Sequence, residues 1–230
     1  PRSTLFPYTT LFRSTRAGGD SPFLLQRVYE MSQSLADGVF PVRWMAGAAQ
    51  GLGYPFYNYY AALPYYIAST LNLMGLGVIG GIQATQIMGF LIAAVATYAL
   101  VLELGHNKPA AVAASAIYTF APFHLINIYV RGDSLSEFYA MALFPVILYA
   151  AMRLEKKPSF WSFCGLAASF AALVLSHNIS AMLFTPLVAV WILVQTLRSK
   201  KKWHTLLVGA GALGLGLILS AWFWLPALWE

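Results

Sequence analysis

Long apolar blocks separated by short polar connectors dominate the chain from residue 79 onwards. A helix needs about 20 consecutive apolar residues to cross a bilayer, and the apolar residues come in continuous blocks rather than at amphipathic spacing. We therefore predict an all-α fold, a polytopic transmembrane helical bundle. Its spans are predicted at residues 79–103, 109–129, 138–153, 160–175, 179–197 and 204–226.

The segment before the first block is more polar, and it predicts helices that lie along the membrane. Leu24, Val28, Met31 and Leu35 recur at helical spacing, which predicts an amphipathic juxtamembrane helix over residues 21–37. Residues 40–60 are rich in Gly, Pro, Tyr and Trp, which is typical of an ordered loop at headgroup depth. Residues 63–75 are apolar but short, and predict a re-entrant or interfacial helix.

These patterns divide the chain into three parts. Residues 4–14 read TLFPYTTLFRS, which matches the in-frame translation of a common sequencing adaptor at every codon. We interpret residues 1–16 as artefactual, and expect a natural N-terminus with a further transmembrane helix in their place. Residues 17–76 are predicted to form an external loop with interfacial helices, and residues 77–230 a bundle of about six helices, truncated at its C-terminus.

Charge patterning gives the topology of the bundle. The chain is 59% hydrophobic and 10% charged with a net charge of +6, and its basic residues gather in connectors at 105–108, 153–157 and 198–202. Basic loops are normally cytoplasmic, so this charge does not indicate a nucleic-acid partner. Residues 130–137 and 176–178 are then external, as are residues 20–60 provided that 63–75 does not cross. The single cysteine, Cys164, excludes an internal disulfide.

Several ionisable residues are predicted at the external face, where a charge beside hydrocarbon is costly without a partner or a function. Asp20 is a candidate general base for an acceptor hydroxyl, or a solvated helix cap. Arg43 and Trp44 are candidates for binding a lipid phosphate, or an ordinary snorkelling arginine and interfacial tryptophan. Tyr57 and Tyr60 belong to an aromatic run that suits sugar stacking, or an aromatic belt.

Two external turns carry the other candidates. Arg131 lies beside two carboxylates in a short loop, and Asp133 and Glu137 at i and i+4 can share one helix face. The alternative is structural, with Asp133 capping the next helix. His177 stands in a tight turn, where a histidine can shuttle protons or donate to phosphate, or simply be an interfacial residue. No recognised metal motif is present in the spacing, so no metal ligand or cofactor is predicted, and a divalent metal stays an open alternative.

Five segments together resemble the membrane proteins described as 6-pyruvoyl-tetrahydropterin synthase-related, which are relatives of the YfhO-like group and, more distantly, of the GT-C glycosyltransferases. They are GDSPF at 19–23, DGVFPVRW at 37–44, GLGYPFYNYY at 51–60, YVRG at 129–132 with Glu137, and SHN at 176–178. The resemblance does not specify a substrate, and the pterin name does not imply pterin chemistry.

The resemblance implies an enzyme that transfers a sugar from a polyprenyl-phosphate donor at the outer face of the plasma or inner membrane. Asp20 would be the base, Arg43 and Arg131 would hold the lipid phosphate, and Glu137 and His177 would line the pocket as catalytic residues. The partners implied are membrane lipid and the lipid-linked sugar. Two other readings stay open: a transporter or flippase of lipid-linked saccharides, and a non-catalytic membrane assembly protein.

Overall fold

The computed structural model describes residues 21–131 and 134–229, and within these ranges it has helices but no strand. The prediction of an all-α bundle is confirmed. An isolated bridge between Met45 and Tyr54 is the β pairing recorded in the described part. The helices are α1 Ser21–Ala36, α2 Phe56–Tyr59, α3 Leu63–Leu71, α4 Gly77–Glu103, α5 Lys108–Thr119, α6 Pro122–Tyr129, α7 Leu135–Lys156, α8 Phe160–Ser176, α9 Asn178–Arg198, α10 Lys202–Leu219 and α11 Ala221–Trp229. A single irregular helical turn, Ala48–Gly51, lies between α1 and α2.

Five helical stretches of the described chain are long and apolar enough to cross a membrane, which agrees with a multi-pass membrane protein. They are Leu63–Glu103, Lys108–Tyr129, Leu135–Lys156, Asn178–Arg198 and Lys202–Leu219. Helix α8 is apolar but only 17 residues long, close to the lower limit of about 17 residues for a span. Many large apolar side chains of α9 are exposed, as expected of a surface that faces lipid.

Helix α1 ends at the position where the sequence carries a glycine. Gly38 has a φ of +80°, and its N–H donates to the Leu35 carbonyl at 3.1 Å. The N–H of Val39 donates to the Ser34 carbonyl at 2.9 Å, which completes a Schellman motif. The apolar face of α1, including Leu24, is buried against the protein, so this helix closes one end of the bundle.

Helices α3 and α4 form a tight hairpin. The chain reverses through a π-helical turn at Asn72–Leu76, where Gly75 and Gly77 have φ values of +102° and +72°. A Cβ atom placed on Gly81 would lie 2.4 Å from the Ala68 carbonyl oxygen, so the two helices contact each other through their backbones. At nine residues, α3 is about half the length that a bilayer crossing requires.

Two predicted spans are interrupted. The span at 109–129 breaks after Phe120, where Ala121 has an extended ψ of 140° and Pro122 begins α6. The residue before a proline disfavours the helical region, which explains the position of this break. The span at 204–226 breaks at Ser220, which separates α10 from α11.

The two ends of the bundle differ in chemistry. At the end that carries the basic connectors, Glu103 accepts from Arg153 at 3.5 Å and from Lys156 at 3.3 Å, which joins the C-termini of α4 and α7. These helices therefore run parallel, and their N-termini lie together at the opposite end. A buried cluster there joins α1, α3, α4 and α7.

Candidate functional site

The N-terminal end of α7 gathers five polar and aromatic side chains into one group, which we call the rim site: Arg27, Tyr60, Arg131, Glu137 and His177. They come from α1, from the residue after α2, from the turn before α7, from the first turn of α7 and from the turn before α9. Three of the sequence-predicted external segments thus meet at one end of the bundle.

Tyr60 is the residue that joins the parts of the rim site. Its ring centroid lies 5.7 Å from the Cζ atom of Arg27 and 5.9 Å from the ring centroid of His177. The charge of Glu137 also acts on its hydroxyl. Burial, with the neighbouring Tyr65, raises the pKa of Tyr60 well above its ordinary value, so the hydroxyl is a neutral hydrogen-bonding group rather than a base.

Arg131 and Glu137 form an ion pair at the edge of the site. Nη1 of Arg131 lies 2.5 Å from Oε2 of Glu137 and 3.0 Å from Oδ1 of Asn127. The N–H of Ser134 donates to the Asn127 carbonyl at 2.9 Å, which fixes the turn between α6 and α7. The guanidinium is about half exposed, so the pair adds little stability in itself, but it orients a carboxylate and a cation toward the same space.

His177 is held by the helix that it precedes. Its Nδ1 atom lies 3.3 Å from the Ser180 N–H and accepts from it, which makes His177 the N-cap of α9. Nδ1 also lies 2.8 Å from Ser180 Oγ, and the neutral tautomer that accepts from both Ser180 groups carries its proton on Nε2. Burial lowers the pKa of His177, the charge of Glu137 opposes this shift, and the charge of Arg131 adds to it. The ring is therefore neutral at pH 7, with an Nε2–H donor.

Arg43 and Trp44 lie in the loop between α1 and α2, apart from the rim site. Arg43 donates to Asn58 Oδ1 at 2.7 Å and to the Trp222 carbonyl at 3.0 Å, tying the loop to α11. The Trp44 side chain packs on Gly53, whose Cβ position would fall 2.3 Å from the indole Nε1. Trp44 is 52% exposed. The described contacts of these two residues do not include a member of the rim site.

The other predicted site residues fall into two groups. Tyr57 is buried, and its hydroxyl donates to the Arg27 carbonyl, so it positions α1 rather than facing an open surface. Burial raises the pKa of Tyr57. Asp20 and Asp133 lie outside the described residues, so their predicted roles as base and ligand stay predictions.

The comparisons with known proteins identify the family. The model of the 6-pyruvoyl-tetrahydropterin synthase related domain, a membrane protein family, matches residues 57–230, which is more than half of the chain. The chain belongs to this family. An uncharacterized protein of Lactococcus lactis subsp. cremoris (strain MG1363) is 26% identical over 229 aligned residues, which cover 92% of this chain and 36% of that protein. The chain thus spans about a third of the length of that relative. No solved structure matches this chain significantly.

Arg27 belongs to the rim site but was not predicted from the sequence. Its Cζ atom lies 4.2 Å from the Phe56 ring centroid and between 5.7 and 5.9 Å from the rings of Phe23, Tyr60 and Tyr65. Its Nη1 donates to the Tyr65 hydroxyl at 3.2 Å. In the sequence, Arg27 is one polar residue of an amphipathic helix, and the aromatic run that surrounds it begins about thirty positions later.

Glu30 is the second residue that was missed. It is 9% exposed, accepts from the Gly47 N–H at 2.9 Å and from the Gln26 side chain at 2.8 Å, and so fixes the loop onto α1. It acts on the loop and does not belong to the rim site. Within the described ranges, no group of three or more His, Cys, Asp or Glu side chains is arranged to hold a metal ion.

Proposed function

We propose that this family member is part of a membrane glycosyltransferase that moves a sugar from a polyprenyl-phosphate donor to an acceptor hydroxyl at the rim site. The observation that carries the proposal is the convergence of Arg131, Glu137, His177 and Tyr60 at one end of an apolar bundle. A lipid-linked donor places its phosphate at this depth and its sugar just beyond, so one such site reaches both.

The proposed reaction is a displacement at the anomeric carbon of the donor sugar. Asp20 takes the proton of the acceptor hydroxyl, the acceptor oxygen forms the new bond to the anomeric carbon, and the bond from that carbon to the phosphate oxygen breaks. The leaving phosphate keeps the electron pair, and cationic side chains stabilise the charge that develops on it. Arg131 and Arg43 are the candidates predicted from the sequence for this role.

The remaining rim residues fit the binding of the sugar and the phosphate. The neutral His177 offers its Nε2–H as a donor to an anionic or hydroxyl oxygen. Glu137, held by Arg131, offers its second carboxylate oxygen to sugar hydroxyls. The Tyr60 ring supplies the flat apolar face on which sugar rings stack. Together they provide donors, an acceptor and a platform, the components of a carbohydrate site.

The test uses the family member in its full-length form, reconstituted in liposomes with a radiolabelled polyprenyl-phosphate sugar and a membrane extract as the acceptor source. We expect Asp20→Asn to reduce transfer by about 100-fold or more, since general base catalysis contributes that much. Asp37→Asn, an exposed aspartate just after α1, is the matched control and should leave transfer unchanged. Transfer that survives Asp20→Asn at the wild-type rate would disprove the assignment of the base.

A second candidate function is the transport of a lipid-linked saccharide. It is supported by the broken span at Phe120 and by an apolar groove of about 500 Å³ between α4 and α5, which Phe90, Thr119 and Phe120 help to line. Broken helices are typical of transporter sites, and this break lies close to the middle of the stretch Lys108–Tyr129. Movement of a fluorescent polyprenyl-phosphate sugar across proteoliposomes that contain no acceptor would favour this function over transfer.

A further inference from the structure

Among Arg27, Arg43 and Arg131, Arg27 has the fewest polar partners within the described residues. Arg131 is bonded to Glu137 and Asn127, and Arg43 is bonded to Asn58 and to the Trp222 carbonyl. Within residues 21–131 and 134–229, Arg27 makes one side-chain hydrogen bond, to the Tyr65 hydroxyl, and no carboxylate lies within 4.0 Å of it. A guanidinium has five N–H donors, so the described residues occupy few of those on Arg27.

The surroundings of Arg27 fix the position of this cation without neutralising it. Four aromatic rings lie within 5.9 Å of its Cζ atom, the nearest being Phe56 at 4.2 Å. The Tyr57 hydroxyl donates to its carbonyl and so holds the backbone of α1 at this point. Contact through the π-face leaves the N–H edges of a guanidinium free for hydrogen bonds. The result is a preorganised cation that is partly buried, and an anion would compensate its charge.

The geometry points to Arg27 as the side chain that binds the phosphate of the donor, with the Tyr60 ring beside it. The chemistry recognised is a phosphate monoester or diester oxygen pair, since a guanidinium binds two such oxygens in parallel. The identity of the lipid rests on the proposed glycosyl transfer, but the binding of phosphate does not. Arg131 and Arg43, the candidates predicted from the sequence for the phosphate, are already bonded to Glu137 and to the loop, so we assign this contact to Arg27 in addition to them.

Binding is measured by titrating the purified chain, in nanodiscs of phosphatidylcholine, with a polyprenyl monophosphate, and in a parallel arm with inorganic phosphate. Bound lipid is counted by native mass spectrometry, and the midpoint of thermal unfolding is followed in both arms. We expect saturable binding of the polyprenyl phosphate, and competition by inorganic phosphate at a higher concentration. If inorganic phosphate does not compete and polyprenyl alcohol binds as well as polyprenyl phosphate, recognition is through the lipid chain and the inference is wrong.

Three variants separate phosphate binding from a structural role of Arg27. Arg27→Met keeps the apolar contacts of the stem, and we expect it to weaken binding roughly 10- to 100-fold, as the loss of charged hydrogen bonds does. Arg27→Lys keeps the charge but not the fork, and is expected to give an intermediate loss with near wild-type stability of the unliganded protein. Arg198→Gln removes the same charge from an exposed position at the other end of the bundle, and should bind as the wild type does.

The outcomes distinguish this inference from the proposed reaction. Unchanged phosphate binding by both Arg27→Met and Arg27→Lys would overturn the role of Arg27, even if sugar transfer is observed. Loss of binding in these variants, in a protein that transfers no sugar, would uphold the phosphate site while the proposed reaction fails. Equal loss in Arg198→Gln would show that net charge alone draws the lipid, and would also overturn the inference.

Discussion

The α3–α4 hairpin offers a direct test of the architecture. The side of the membrane predicted for residues 20–60 depends on α3 turning back rather than crossing the bilayer. Gly81 is the contact point, and its substitution by alanine places a Cβ atom 2.4 Å from the Ala68 carbonyl oxygen and 3.2 Å from the Asn72 nitrogen. An ordinary C···O contact is about 3.3 Å or longer. The two helices must therefore separate by roughly 1 Å, an overpacking of the kind that costs about 1–3 kcal/mol.

Gly165→Ala is the matched control for Gly81→Ala. A Cβ atom at Gly165 meets nothing within 4 Å, so this substitution gives only the gain in helix propensity of about 1 kcal/mol. Comparing the two variants cancels that gain. We expect the free energy of unfolding, measured by SDS titration in mixed micelles and followed by circular dichroism, to be about 1–3 kcal/mol lower for Gly81→Ala than for Gly165→Ala. Equal stabilities would refute the close backbone contact.

Three further predictions concern single residues. Burial lowers the folded-state pKa of His177 below its unfolded value, so the wild type loses stability as the pH falls below about 6.5. His177→Gln removes this contribution, and we expect its melting temperature to depend less on pH below that value. Thermal unfolding measured across the pH range tests this, and an unchanged pH profile would contradict it. Glu30→Ala should lower the free energy of unfolding, measured by denaturant titration, by about 2 kcal/mol, because it removes the charged hydrogen bonds to the loop. An unchanged stability would show that Glu30 does not hold the loop onto α1. On a Cys164→Ser background, single cysteines at Ser134 and Ser199 should react with a membrane-impermeant maleimide from opposite sides, and labelling from the same side would refute the topology.

The bundle and its first helix were predictable because local sequence determines them. Hydropathy alone places α4, α7 and α9 within a few residues of the predicted spans. Helix α1 was predicted from its spacing and from Gly38, whose positive φ ends it. The polar and apolar pattern also predicted that its apolar face would be buried, but this face packs against the protein rather than against lipid.

The breaks in the long helices were not predicted. Pro122 lies inside an apolar block, and hydropathy does not distinguish a helix that continues through a proline from one that stops before it. The sequence around Ser220 carries no helix-breaking signal. The break there accompanies the packing of α11 against the loop between α1 and α2, where the ring centroids of Phe40 and Trp222 lie 5.7 Å apart. Such contacts join residues that are far apart in the chain.

Direct contacts within the candidate site were predictable where the two residues are close in sequence. Arg131 and Glu137 are six positions apart, and their pairing followed from the loop. The aromatic surroundings of Arg27 come from three separate segments, and the Trp222 carbonyl bound by Arg43 is 179 positions away. A single sequence does not reveal these contacts, because the partner residues are ordinary for a membrane interface.

Two paired glutamates make it measurable whether the rim site carries the chemistry. Glu137 and Glu103 are each bonded to basic side chains, at opposite ends of the bundle. Rates of sugar transfer from a radiolabelled polyprenyl-phosphate donor are compared for Glu137→Gln and Glu103→Gln in the same liposomes. We predict a loss of roughly 10- to 100-fold for Glu137→Gln, as the loss of charged hydrogen bonds to sugar hydroxyls gives, and a near wild-type rate for Glu103→Gln. Equal rates for the two variants would contradict the assignment of the site.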